Sequence, residues 1–413
     1  MSAHRNRAAP GVFTGLPSGL GDSAERTVAA LARRAHAFPE LPSRPPVFAM
    51  PYPARLNPRQ AAARARAAQW AELTGLTGPA GVWSRERFDR LELALFTALT
   101  QPDLPVEELL LVGDWNVWAF AVDDHFVTVK ATGDAAGARR FVARLAACMP
   151  SAAAAAPGPR RRAGSPGPHH RTAGAPDPRD RTGPAEPQHP VEVALADVWA
   201  RSAAVLPPDL RRRLRDAALD FAAANLWELD NTLAGRVPDP VEYLQMRRRT
   251  AGTPLSTVLP LHVRGRDLPP ELLSHPTVTA LIEAFADNVD LRNDLYSCRK
   301  ETELEGELNN AVPVFRHFLR CSRQTAVDTV TDLMNARLDC FDRIAREDVP
   351  HLAEEFGPEA GRTVAAFTGG LKDWLAGDHA WYPRTGRYTV ATGGPADRRT
   401  RESPRCDAGH IRK

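Results

Sequence analysis

Oxygen-bearing side chains recur at every fourth position in the stretch NDLYSCRKE, residues 293–301. If this stretch is helical, the amide of Asn293, the hydroxyl of Ser297 and the carboxylate of Glu301 share one helix face. Such hard oxygen ligands suit Mg²⁺, an ion that often bridges to phosphate groups. The same spacing is also common on solvated helix faces, so these three residues alone leave both interpretations open.

Two adjacent carboxylates, Asp123 and Asp124, lie in the apolar stretch WNVWAFAVDDHFV, residues 115–127. Charged side chains are rarely buried without a partner. A helix N-cap and a surface turn are the ordinary explanations for such a pair. The apolar residues before the pair argue against the surface and favour carboxylates directed into a pocket, where they would hold cations.

Arginine is concentrated in two short segments, MRRRTAG (residues 246–252) and RTGRY (residues 384–388). The guanidinium fork matches phosphate oxygens in bidentate geometry. Each cluster alone is more typical of a solvated surface. Because the two segments are far apart in sequence, a shared role would require both to converge on one anion.

The elements that must position these residues are helices. Apolar residues recur at helical spacing over 59–76, 88–99, 133–149, 191–206, 208–235, 275–301, 323–348 and 361–382. Ser84 is a predicted N-cap for the helix that contains Phe88. No series of alternating β-branched strands is present. The sequence therefore predicts an all-α protein, a single helical bundle that encloses a cavity.

Composition excludes several classes of protein. The chain has 413 residues and a net charge of +3, too small to argue for nucleic-acid binding. No apolar run reaches the ~18–20 residues of a membrane span, and the N-terminus has no apolar signal segment. The five scattered cysteines are typical of reduced thiols in a cytoplasmic protein. The oligomeric state stays open, with a homodimer as one option.

Residues 150–190 contain ten prolines and no large apolar side chain. Such a segment cannot bury enough apolar surface to offset its chain entropy and is predicted to be disordered. Residues 1–40 are predicted to be a disordered leader, and residues 391–413 a flexible tail. The carboxylate pair and the 293–301 stretch lie on opposite sides of the insert. We therefore expect one domain, residues 41–390, with the insert as a loop.

The combined motifs resemble those of bacterial class I terpene cyclases. The similarity runs from about Pro45 to Tyr388. The segments FAMPYPARLNP, DWNVWAFAVDDHF, GRVPDPVEYLQMRRRTAG, LRNDLYSCRKETELEGELNN and WYPRTGRY resemble the germacradienol synthase domain of germacradienol/geosmin synthases. The resemblance implies the class I terpenoid synthase fold. It also implies Mg²⁺-dependent cyclisation of farnesyl diphosphate to a sesquiterpene hydrocarbon or alcohol, with release of diphosphate.

The resemblance also implies a metal-binding set with three Mg²⁺ ions. Asp123 would bridge two of them, and Asn293, Ser297 and Glu301 would hold the third. Asp124 belongs to the same acidic motif, with a supporting role.

Further residues are implied to act on the diphosphate. Arg247 matches a diphosphate sensor, Arg387 would donate to the diphosphate with Tyr388 beside it, and Lys300 would add a contact. Ala251 falls at the effector position, which acts through its backbone carbonyl.

An apolar wall must exclude water from the carbocation. Aromatic faces stabilise a cation by roughly 0.5–2 kcal/mol each. Phe120, three residues before Asp123, is the first candidate for this wall, and Trp118, Trp374 and Trp381 are further ones.

The sequence departs from the family pattern at two positions and by its extra proline-rich insert. The acidic motif of germacradienol synthases continues as DDHFLE, whereas this chain has DDHFVT, so Thr128 replaces a carboxylate that Val127 cannot supply. Ala251 stands where glycine is usual.

Three other functions remain open. A non-catalytic homologue would bind a diphosphate without turnover, and a cyclase could instead use a ten- or twenty-carbon diphosphate. A chain-elongating prenyl synthase needs a second aspartate-rich motif, which NDLYSCRKE replaces here.

Overall fold

The computed structural model describes residues 46–150, 187–257 and 268–388, without the side chain of Leu304. The predicted leader at 1–40, residues 151–186 of the predicted insert and the predicted tail at 391–413 lie outside the described residues.

The described chain is helical and contains no β-strand, which confirms the all-α prediction. Before the insert lie α1 (Gln60–Leu73), α2 (Arg85–Leu91), α3 (Leu93–Thr100), α4 (Val106–Thr132) and α5 (Ala135–Cys148). After it come α6 (Pro190–Val205), α7 (Pro208–Ala234), α8 (Pro240–Thr250), α9 (Pro270–Leu273), α10 (Pro276–Arg299), α11 (Ala311–Leu319), α12 (Arg323–Arg343), α13 (Leu352–Phe356) and α14 (Pro358–Trp381). π-Helical turns extend α10 over Lys300–Leu304 and α12 over Ile344–Asp348.

The predicted helix over 88–99 is broken at Glu92. Ser84 caps the first part, α2, by accepting a hydrogen bond from the Arg87 amide at 3.1 Å, as predicted. Glu92 then takes a left-handed conformation with φ of 54°, which a continuous helix does not tolerate. Apolar periodicity did not reveal this break because the spacing of buried residues continues across it.

Helices α4 and α10 each pack against several other helices of the bundle. Helix α4 packs against α1, α6 and α7, and α10 packs against α12, α8 and α14. Trp115, Trp118 and Phe126 on α4 are fully buried. Because α4 is surrounded on most sides, its polar residues either face the cavity or need partners in the core.

Two further expectations concern membrane-spanning helices and the state of the cysteines. Within the described residues, no helix combines the length and apolar character needed to cross a bilayer. Cys148, Cys298, Cys321 and Cys340 are free thiols.

Candidate active site

A cleft opens between α4, α7, α8, α10 and the C-terminal segment. Its empty volume, including the part open to solvent, is about 1310 Å³. Most of the residues proposed from sequence line it: Phe120, Asp123, Arg247, Ala251, Asn293, Lys300, Glu301, Arg387 and Tyr388. Asp124 and Ser297 do not line the cleft and lie buried behind it.

The helix break at Glu92 positions the C-terminal segment over this cleft. The carbonyl of Leu91 accepts a hydrogen bond from the Thr385 hydroxyl at 2.9 Å. The carbonyl of Arg90 accepts one from the Gly386 amide at 2.7 Å. A Cβ on Gly386 would lie 3.1 Å from the Arg90 Cβ, so glycine allows this close approach. The anchored segment delivers the next residue, Arg387, to the carboxylate pair.

Arg387 joins the two aspartates. Its Nη2 donates a hydrogen bond to Asp123 Oδ2, and its Nη1 lies 2.8 Å from Asp124 Oδ1. Burial opposes the positive charge, but the two carboxylates outweigh it and raise the pKa of Arg387 further above its ordinary value. The side chain of Asp123 is 48% exposed, so this carboxylate can exchange its arginine partner for another cation.

Asp124 is instead held in the protein interior. Its Oδ2 accepts hydrogen bonds from Trp83 Nε1 at 2.6 Å and from Arg87 Nη2 at 3.2 Å. Burial would raise its pKa, but the charge of Arg387 and the other donors reverse that effect and lower the pKa. Oδ2 therefore accepts from two donors and Oδ1 is ion-paired with Arg387, and the geometry fits a residue that orients Arg387.

Asn293 connects the basic and aromatic residues of the cleft. Its Oδ1 accepts a hydrogen bond from Arg247 Nη2 at 2.8 Å. Its Nδ2 donates to the hydroxyls of Tyr382 at 3.0 Å and Tyr388 at 2.9 Å. Arg247 is also fixed by a bond from its Nε to Asp294 at 2.9 Å.

Glu301 lies in the π-helical turn that follows α10. The Asn310 side-chain amide donates to Glu301 Oε2 at 3.0 Å and lies 3.3 Å from Ser297 Oγ. Burial raises the pKa of Glu301 to about 7, against the opposing charge of Lys300. The sequence analysis did not identify Asn310, which joins two of the predicted ligands.

The donor set fits a hard divalent cation. Asp123, Asn293, Ser297 and Glu301 offer carboxylate, amide and hydroxyl oxygens, the ligand types that Mg²⁺ takes in proteins. Burial raises the pKa of Glu301 despite the charge of Lys300, so a cation beside this carboxylate would stabilise its ionised form. Within the described ranges no three His, Cys, Asp or Glu side chains cluster as a metal site.

Sequence reasoning missed a buried ionic group on the cleft wall. Lys130, seven residues after Asp123 on the same face of α4, donates to Glu228 Oε2 at 3.0 Å and to Glu307. Thr232 also donates to Glu307 at 3.0 Å. Burial opposes the Lys130 ammonium, but both glutamates outweigh it and raise its pKa. The helical spacing from Asp123 was the available signal.

Aromatic rings also line the cleft. Phe96 makes edge-to-face contacts with Phe120, Trp374 and Trp381 at centroid distances of 5.7, 5.5 and 5.0 Å. The guanidinium carbon of Arg387 lies 4.9 Å from the Phe120 ring centroid. Phe120, Trp374 and Trp381 thus line the cleft as expected, and Phe96 is an addition.

Two expectations about α4 are corrected by its orientation. Trp118 is fully buried against Trp115 and Phe221 and does not line the cleft. Thr128, where an acid was expected, is exposed outside the cleft, whereas Val127 lines it. The 100° rotation per residue of a helix gives these adjacent positions different surroundings.

The profile of "Terpene synthase family 2, C-terminal metal binding" matches residues 114–339, which include both Asp123 and the 293–301 stretch. The chain belongs to this terpene synthase family. It is 30% identical over 340 residues to pristinol synthase of Streptomyces pristinaespiralis, covering 82% of this chain and 83% of that protein. It is 27% identical over 357 residues to 4-epi-cubebol synthase ((2E,6E)-farnesyl diphosphate cyclizing) of Streptosporangium roseum, covering 86% and 95%.

A solved structure confirms the fold of the synthase. The crystal structure of germacradien-4-ol synthase from Streptomyces citricolor superimposes with a TM-score of 0.66 at 22% identity, covering 82% of this chain and 98% of that one. The protein is therefore an enzyme of the terpene synthase/cyclase type with a class I fold, in a family named for metal binding.

Proposed function

We propose that the synthase ionises and cyclises farnesyl diphosphate to a sesquiterpene hydrocarbon or alcohol, of germacradienol-like type, and releases diphosphate. The observation that carries this proposal is a single cleft lined both by carboxylates and arginines and by the aromatic rings of Phe96, Phe120, Trp374 and Trp381. The named relatives support it, since 4-epi-cubebol synthase is described as cyclising (2E,6E)-farnesyl diphosphate.

Asp123, Asn293, Ser297 and Glu301 are the proposed ligands of three Mg²⁺ ions, with Asp124 in a supporting role. The ions supply electrostatic stabilisation of the charge that develops on the departing diphosphate. Ser297 is buried and held near Asn310, so its hydroxyl is preoriented beside Glu301.

Arg247, Lys300, Arg387 and Tyr388 are the proposed diphosphate donors. Arginine forks match phosphate oxygens in bidentate geometry. In this structure the Arg387 guanidinium contacts Asp123, so the proposal requires Arg387 to move from that carboxylate to the anion. Lys300 already neutralises Glu305 at 2.8 Å, and an incoming diphosphate would compete for its ammonium group.

The aromatic wall would protect the carbocation. Water would be excluded by the rings that line the cleft, those of Phe96, Phe120, Trp374 and Trp381. Each exposed ring face stabilises a cation by about 0.5–2 kcal/mol. Ala251 also lines the cleft, and its backbone carbonyl is the proposed effector dipole.

Incubation of the enzyme with Mg²⁺ and prenyl diphosphates of ten, fifteen and twenty carbons tests the proposal. We expect diphosphate release and a cyclic volatile product, read by gas chromatography, from the fifteen-carbon substrate. Asn293→Ala should abolish both signals while the helical circular dichroism is retained. Exclusive use of another chain length would refute the substrate assignment, and diphosphate binding without product would identify a non-catalytic homologue.

A further inference from the structure

Helix α10 carries a buried carboxyl group one turn before Asn293. Asp290 lines the cleft and is 1% exposed. Its Oδ1 accepts a hydrogen bond from the Thr253 hydroxyl at 3.3 Å. Its Oδ2 is buried and has no hydrogen-bond partner among the residues that the structure describes. A buried polar atom without a partner is costly and calls for a functional explanation.

Among the residues that the structure describes, no basic side chain forms an ion pair with Asp290. Arg247 bonds to Asp294 through its Nε at 2.9 Å, and Arg248 bonds to Asp287 at 2.6 Å. Burial raises the pKa of Asp290 well above its ordinary value, and repulsion from Asp287 and Asp294 adds to that effect against the attraction of Arg247. Burial without an ion-pair partner thus favours the neutral form of the Asp290 carboxyl group. Because Oδ1 already accepts a hydrogen bond, Oδ2 is the oxygen left to carry a proton.

Asp290 lies further from Glu301 along α10 than the proposed ligand Asn293 does. Asn293 and Glu301 follow it on α10, and each residue adds about 1.5 Å along the helix, which places Asp290 one turn away from Asn293 on the side opposite Glu301. Val289 and Leu255 line the cleft beside it. A neutral acid at this position can transfer a proton to an alkene carbon.

We propose that Asp290 is a catalytic proton donor that reprotonates a neutral, ring-closed polyene formed part-way through cyclisation. This inference rests on the proposed function and adds a residue to it. The neutral acid cannot serve as the first base, so the early proton must leave by another group.

Each turnover would move protons in three steps and return Asp290 to its starting state. The first cyclic carbocation loses a proton to an oxygen of the bound diphosphate, which gives the neutral polyene. The Asp290 O–H bond then breaks, and a C–H bond forms at one alkene carbon while the other becomes cationic. The last cation returns a proton to the Asp290 carboxylate, directly or from the water molecule that attacks it. One proton leaves with diphosphate, and Asp290 ends as the acid.

Turnover in D₂O tests this step, because the carboxyl proton exchanges with solvent in the open enzyme. We expect the wild-type product to gain one deuterium on carbon, seen as a mass increase of one. Asp290→Asn keeps the shape and an acceptor for Thr253 but has no acidic proton. We expect this variant to release diphosphate within about threefold of the wild-type rate and to accumulate the neutral polyene without deuterium. Ser256→Ala, which also removes a polar group from the cleft wall, should still give the labelled product.

The outcomes separate this inference from the proposed function. Product without carbon-bound deuterium from the wild type refutes the Asp290 step alone, as does an unchanged labelled product from Asp290→Asn. Absence of any product from the wild type in H₂O refutes the proposed function and this step with it. If Asp290→Asn fails to fold by circular dichroism, Asp290→Glu provides the second variant, in which the retained acid should keep the label and shift the product ratio.

Discussion

Replacing Glu301 by glutamine should raise the melting temperature of the metal-free enzyme. The same substitution should remove most of the further increase that Mg²⁺ gives. Burial raises the pKa of Glu301 from 4.5 to about 7. The carboxylate is therefore ionised at pH 8 only at a cost in folding free energy. Glutamine removes this cost and keeps an oxygen that can accept the Asn310 hydrogen bond at 3.0 Å.

The magnitude follows from linkage between protonation and folding. One pKa unit corresponds to about 1.4 kcal/mol, so the shift corresponds to roughly 3 kcal/mol at pH 8. Partial exposure of Glu301 on the cleft side makes this value an upper bound. At roughly 2 °C per kcal/mol for a large domain, Glu301→Gln should raise the melting temperature by up to about 6 °C.

The effect should depend on pH with a defined sign. An acid whose pKa rises on folding destabilises the folded state as pH increases from the unfolded value to the folded one. The advantage of Glu301→Gln should therefore be absent below pH 4.5, grow as pH rises toward 7 and remain constant above it. Melting curves without metal at pH 4.5, 6 and 8 would measure this trend.

The same melts with added Mg²⁺ test the ligand role. Metal binding to the folded state raises the wild-type melting temperature by mass action, and Glu301→Gln should lose most of that increase along with turnover. Glu303→Gln is the matched control, because Glu303 lies in the same π-helical turn but its side chain is 38% exposed and pairs with Arg299 and Arg323. A lower metal-free melting temperature for Glu301→Gln would refute the burial reasoning, and an undiminished response to Mg²⁺ would refute the ligand assignment.

Four further substitutions test other parts of the site. Lys130→Met leaves two buried glutamates without their shared cation. It should lower the free energy of unfolding by about 3–5 kcal/mol, measured by urea denaturation. An unchanged denaturation midpoint would contradict this prediction. Thr128→Glu adds an acid outside the cleft and should leave Mg²⁺-dependent turnover within about twofold, whereas Val127→Asp, inside the cleft, should change the Mg²⁺ concentration for half-maximal activity. Arg387→Lys cannot bridge both aspartates as a fork and should lower kcat/KM by about tenfold or more, with near-wild-type kinetics as the contrary result.

Much of the helical fold could be predicted because helix formation follows local patterns. The predicted segment 133–149 corresponds to α5, Ala135–Cys148, and the predicted segment 275–301 to α10 with its π-helical extension. The Ser84 cap was also correct, because an N-cap uses only a side chain and an amide three residues later. The break at Glu92 was not predicted, because the Arg90 and Leu91 carbonyls beside it bind residues almost 300 positions away.

Only part of the site could be predicted from the sequence. Residue spacing shows which side chains share a helix face, but it does not show which residues of other helices they contact. Asp123 and Asp124 are adjacent, yet one lines the cleft and the other is fixed by Trp83 in the interior. Asp290 carried no motif signal, because a buried aspartate is recognisable as unpaired only when its neighbours are known.

The sequence by itself determined the helical class, the oxygen-rich stretch at 293–301 and the family resemblance, because all three are encoded in local spacing and residue type. Tertiary structure decided which of these groups meet. It brought Arg387 onto Asp123, tied Asn293 to Tyr388 and left one oxygen of Asp290 without a partner. These are contacts between residues distant in sequence, and burial, which depends on the whole packed chain, sets their charge and reactivity.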